Sequence, residues 1–322
     1  MKADSQYGAA CRANQVALVM VAALSMAATF NAAISGEPAA EALPRVHAQQ
    51  PDTLPADVTP APLAHEAAFF EALNAHPARR EEALEHVRRR VMQVPGDARA
   101  VLLLGIGHLW IAAENPPSRE PVMEHLVLAC HYLERAAQLN PADDRIPSWL
   151  LSAEIGLAQL EGREADATAS LAKLLEHAQR DPCFHSVAYA ISVWEGPRDR
   201  PELAQAQRLL EAAAACNADD PSVRNMTHWP HNVEGFLVGL SDVAHKRGDR
   251  ARALACLVAA EAWPGSEKWP HLSQVQQRRR EFDERAARFA DDDASNDPAF
   301  IFERGGPVSC SSCHQGVLPP KP

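Results

Sequence analysis

From about residue 63 onward, apolar side chains recur three and four positions apart, the period that lines one face of an α-helix. Leu126, Leu133 and Ala137 draw one such stripe. The pattern predicts helices over 63–76, 79–94, 97–114, 119–140, 146–161, 163–180, 183–194, 201–217, 230–246 and 249–262, with a charged helix over 267–291 closing the set. Punctuation between them is regular. Pro95, Pro141, Pro182, Pro221 and Pro264 each follow a helix, where a residue without an amide donor stops it. By subtraction they stand 46, 41, 39 and 43 residues apart, and a two-helix unit of about 40 residues marks a stacked helical solenoid. The expectation is an all-α fold.

The chain ahead of these helices reads differently. Lys2 and Arg12 precede an apolar run over 16–34 that ends in Ala32, Ala33, Ser35 and Gly36, the order of a secretory signal. Small residues at 33–35 and at 46–48 offer two cleavage zones, and both stay open. The run is nearly long enough to span a bilayer, so an uncleaved N-terminal anchor is the alternative and the one membrane contact expected. Residues 37–62 are rich in Pro, Ala and polar residues without periodicity, as a disordered linker is. The expected organisation is a signal or anchor over 1–36, a linker over 37–62, a helical repeat domain over 63–292 and an irregular tail over 293–322. Export places the chain in a bacterial periplasm or cell envelope, or outside the cell.

Composition narrows the partners. The 322 residues carry a formal net charge of −11, the wrong sign for a general nucleic-acid surface or an electrostatic hold on anionic lipid. Only 15 glycines and 6% aromatic residues stand among long Ala/Leu/Glu/Arg-rich runs, again favouring helix over sheet. Of the cysteines in the helical region, Cys130, Cys183, Cys216 and Cys256, the middle two bracket one predicted helical pair. An exported chain can oxidise them; the alternative is that all four are small apolar packing residues.

One unit carries a resemblance. In the stretch from Gly235 to Pro264, Gly248-Asp249 falls where two helices turn, Ala253 and Ala260 are small residues at helix contacts, and Pro264 closes the unit. This looks like a tetratricopeptide (TPR) repeat, and Gly162, Ala167 and Pro182 form a looser copy. The resemblance covers residues 79 to 264 in layout and is specific in these two units. It implies a solenoid whose groove docks a peptide or protein partner.

The chemistry sits in the tail. Cys310-Ser311-Ser312-Cys313-His314 places two thiols three positions apart with a histidine beside the second. Two such thiols can add to the two vinyl groups of one haem, and the histidine then ligates the iron from the proximal side. With 7 Cys and 14 His in the chain, chance produces the pattern in roughly one chain of 150. A zinc site needs a second ligand pair, which is missing. A thioredoxin-like pair would sit in an αβ unit, and a disulfide between Cys310 and Cys313 would leave His314 unexplained.

The segment around the motif resembles the haem-binding segments of c-type cytochromes, which implies one covalent haem c per chain. It departs from them in place, since only Gln315 to Pro322 follow and they hold no Met or His. A distal ligand must come from elsewhere: His228, His231, His271, His245 and Met226 are the candidates, with the loop Met226-Thr227-His228-Trp229-Pro230-His231 the most ligand-like. Five-coordinate iron is the alternative. The expected function is a non-catalytic mono-haem cytochrome that transfers electrons to a protein redox partner held by the groove. A scaffold or assembly factor whose cysteines form a disulfide, or bind haem incidentally, stands as the second reading, and a haem peroxidase as a third.

Overall fold

The computed structural model describes residues 68–69, 80–114, 119–219, 233–269, 271–291, 293 and 296–302. The signal segment, the linker, nearly all of the predicted helix over 63–76, the loop from Met226 to His231 and the Cys310–His314 motif lie outside them.

Among the described residues the fold is helical throughout, with eleven α-helices: α1 Arg80–Gln93, α2 Ala98–Glu114, α3 Arg119–Leu139, α4 Ile146–Glu161, α5 Glu164–Arg180, α6 Pro182–Trp194, α7 Pro201–Asp219, α8 Val233–Lys246, α9 Arg250–Glu261, α10 Leu272–Arg280 and α11 Phe282–Ala290. The bounds follow the periodicity to within a few residues. Four hairpins, α2/α3, α4/α5, α6/α7 and α8/α9, stack in sequence, each second helix packing on the first helix of the next pair. The first helices also touch one another in succession, α2 with α4, α4 with α6 and α6 with α8, and so build one continuous face.

Two of the hairpin turns are the same turn. Gly162 ends α4 at φ 72° and Gly248 follows α8 at φ 85°, left-handed conformations that glycine adopts without a Cβ penalty. At both places the glycine amide donates to the carbonyl three residues back, Gln159 or His245. The next amide donates to the carbonyl five back, Ala158 or Ala244, at 2.8 and 2.9 Å. This is the paired closure that satisfies the orphan carbonyls of a helix end. Asp249 then caps α9, its carboxylate accepting from the Arg252 amide at 3.0 Å. Ala253 and Ala260 are fully buried, and the Ser241 hydroxyl donates to the Ala253 carbonyl at 2.9 Å, an approach only small side chains permit. The turn and small positions expected at 235–264 are present, and the turn recurs at 162.

The charged helix over 267–291 is broken. A 3-10 turn, Ser266–Lys268, leads to Trp269, whose ψ of 123° is the extended conformation forced on a residue before proline. A second break at Glu281 separates α10 from α11. Arg278 on α10 and Arg285 on α11 both reach Asp242 on α8.

A disulfide joins Cys183, at the start of α6, to Cys216, near the end of α7, with Cα atoms 6.1 Å apart. It closes the open end of that hairpin, opposite the turn at 195–200. Cys130 and Cys256 are free thiols that pack within the helices. No described helix is long and apolar enough to cross a membrane. Because the bridge spans 33 residues, Cys183→Ser with Cys216→Ser is expected to lower the unfolding free energy by about 3–4 kcal/mol. Urea denaturation of the oxidised protein against this variant measures the difference; equal midpoints would show that the bridge contributes nothing.

Candidate functional site

Of the predicted haem-linked residues, Cys310, Cys313, His314, Met226, His228 and His231 lie outside the described residues. His271 and His245 lie inside, against different neighbours. His271 precedes α10, half-buried, with its ring edge on Trp269 at 5.5 Å, and burial holds its pKa below the usual histidine value. His245, near the end of α8, is buried; its ring stacks on Phe282 at 4.4 Å and meets Phe289 at 5.8 Å. Burial first, and the Arg285 guanidinium second, push its pKa down to about 4, so the ring is neutral at pH 7. Its Nε2 atom has no hydrogen-bond partner. The residue lines a cleft of about 330 Å³ together with Arg198, Lys246, Arg250, Asp283 and Phe289.

Beside it lies the densest polar cluster of the described fold. Asp242, on α8 and 1% exposed, receives Arg278 through two parallel bonds, Nε to Oδ1 at 2.8 Å and Nη2 to Oδ2 at 2.9 Å. Arg285 Nη2 donates to the same Oδ1 at 2.7 Å, and the Ile301 amide donates to Oδ2 at 2.8 Å. One carboxylate thus holds α10, α11 and the chain beyond them. A buried carboxylate persists ionised only when paired and hydrogen-bonded in this way.

Residues 296–302, here the strap, run across the first-helix face. The Lys246 ammonium donates to the Trp194 carbonyl at 2.7 Å, reaches Asp297 at 2.9 Å and stands 4.6 Å from the centroid of the Trp194 ring. Phe300 stacks on Trp194 at 4.7 Å, and Phe302 packs so closely on Gly239 that a Cβ there would come within 2.8 Å of its ring. With the packing of α6, α7, α9 and α11, these contacts leave α8 buried along its whole length. The tail expected over 293–322 is irregular over 296–302, and there it is bound to the helices. Phe300-Ile301-Phe302, two aromatics spaced by one residue, was the signal for that binding.

Three other polar groupings are accounted for by packing. The His108 and His125 Nδ1 atoms share a hydrogen bond at 2.9 Å, and burial pushes His108 to about 3. Ser148 and His185 pair through the Ser148 hydroxyl and the ring Nδ1, both buried, so no substrate reaches that hydroxyl. Cys130 lines a second cleft beside Glu154 and Arg163, and burial raises its thiol to about 12, which leaves it unreactive. Among the described residues no group of three or more His, Cys, Asp or Glu could hold a metal ion.

The burial of charge has two measurable consequences. Removing the carboxylate in Asp242→Ala strands two guanidiniums and is expected to cost about 3–5 kcal/mol; urea denaturation followed by Trp194 fluorescence reads the loss, and a change below about 1 kcal/mol would contradict the hub. His108 and His245 titrate below their ordinary value of 6.5, so the unfolded chain takes protons there first and stability falls as pH drops from 6.5 toward 4. Glu234, raised by burial to about 7, opposes this, its own contribution being lost as pH rises through 7. The net acid loss is therefore expected to flatten in His108→Gln and His245→Gln, checked by denaturation at pH 7, 5.5 and 4.5. No family model, curated protein or solved structure matches the chain.

Proposed function

We propose that the chain is an exported c-type haem protein, with one haem c held by Cys310 and Cys313 and with His314 as proximal ligand, that transfers electrons to a protein partner docked on its TPR-like array. The observation that carries this reading is the Cys310-Ser311-Ser312-Cys313-His314 motif behind an export-type N-terminus. The Cys183–Cys216 disulfide supports it, because such bridges persist in the oxidising compartments where c-type attachment takes place.

The strap supports it in another way. Phe302 is buried on α8, and eight residues later the chain reaches Cys310. Eight extended residues span at most about 29 Å, a tether short enough to suit a haem that serves a partner on the array. Haem supplies a one-electron couple at its iron; the chain's part is to hold it, orient it and keep the transfer distance short. Of the described candidates for a sixth ligand, His271 is half-buried, whereas His245 is enclosed and would ligate only if the packing around its Nε2 atom opened. Its imidazole is neutral at pH 7, its Nε2 atom is unpartnered, and Arg198, Lys246 and Arg250 around its cleft are suited to haem carboxylates.

Covalent haem content tests the proposal. The full-length chain is expressed in a bacterial host with a working c-type maturation system, and intact mass is combined with a pyridine haemochrome spectrum. One haem added to the wild type and none to Cys310→Ala/Cys313→Ala is the expected result. An unmodified mass in the exported protein would overturn it and leave a helical scaffold whose tail cysteines serve otherwise.

A further inference from the structure

The strap is held as a receptor holds a peptide. Its backbone is read at three points: the Asn296 carbonyl accepts from Arg288 Nε at 2.7 Å, the Ala299 carbonyl accepts from Arg278 and Arg285 at 3.4 and 3.3 Å, and the Ile301 amide donates to Asp242 at 2.8 Å. Main-chain bonds of this kind give affinity without sequence preference, and pockets for individual side chains add selectivity. Here the pockets are the Trp194 face for Phe300, the bare backbone of Gly239 for Phe302 and the Lys246 ammonium for Asp297.

The receptor side keeps its own polar framework, to which the occupant adds the Ile301 amide on Asp242 and the Asp297 carboxylate on Lys246. Asp242 and Arg278 form their two-bond pair within the helices, and Lys246 is anchored to the Trp194 carbonyl. The surface is cationic, with Lys246, Arg278, Arg285 and Arg288 against Asp242 and Glu281, in a chain whose formal net charge is −11. It therefore complements an acidic ligand.

We propose that the face between α6 and α8 is a peptide-binding site, filled in this chain by residues 296–302, and that in trans it takes an extended segment with an acidic residue followed, three and five positions later, by two aromatics. This gives the partner docking proposed above a ligand chemistry, and rests on that part of the reading alone, not on the haem. The tethered strap competes at an effective concentration of about a millimolar, so a partner binds by displacing it.

The test uses the full-length chain and a fluorescein-labelled peptide with the sequence of residues 295–303. Phe300→Ala/Phe302→Ala, which empties both pockets, is expected to bind the peptide at least about tenfold more tightly than the wild type does, read by fluorescence anisotropy. Adding Lys246→Glu, or replacing both peptide phenylalanines by alanine, is expected to abolish binding. A far-UV circular dichroism spectrum equal to the wild type's shows that the variant is folded. Where it is not, hydrogen exchange of the wild-type Ile301 amide at millimolar peptide serves instead, and acceleration is expected. No anisotropy change in a folded variant, or no acceleration at Ile301, overturns the proposal, whereas haem content is unaffected by either outcome.

Discussion

The carboxylate of Asp242 is the constraint on which the C-terminal third of the molecule depends. Burying one negative charge costs several kcal/mol unless it is fully compensated, and here the compensation comes from Arg278, Arg285 and the Ile301 amide. Geometry does the rest. Arg278 stands before the interruption at Glu281 and Arg285 after it, so one carboxylate ties two helices to α8. The turn of α11 then brings Phe282 and Phe289 against His245. Specificity of arrangement, more than net stabilisation, is the contribution of such a buried cluster.

The hairpins were legible because each carries its own local instructions. Prolines stop the helices, Gly162 and Gly248 supply left-handed residues at two turns, and Asp249 caps α9. None of these depends on a distant residue. The cluster around Asp242 was not legible, since it joins one carboxylate to two arginines 36 and 43 positions away. The seat of the strap was hidden for the same reason. Residues 296–302 have no periodicity, and only the Trp194 and Gly239 surfaces explain why Phe300 and Phe302 are buried.

At the candidate site the division is similar. A covalent attachment motif is written in consecutive residues, so Cys310, Cys313 and His314 can be read without a fold. An axial ligand cannot be read this way. His245 and His271 look alike in a sequence, yet one is enclosed by two phenylalanines with a nitrogen left unpartnered and the other rests its edge on Trp269. The Cys183–Cys216 pairing stood between these cases, suggested by its place around one hairpin and settled by a Cα separation of 6.1 Å.

The strap also sets an order on how the molecule comes into being. The chain is made, and on export crosses the membrane, from its N-terminal end, and domains generally fold as they emerge. Every helix that the strap closes over is synthesised before it. Until residues 300–302 arrive, the Trp194 ring and the bare backbone of Gly239 stand open, an apolar surface of the kind chaperones and proteases inspect. A chain cut short anywhere in its last described stretch is therefore marked as incomplete by its own exposed groove, and the segment just ahead of the cysteine motif doubles as a certificate that translation ran through it.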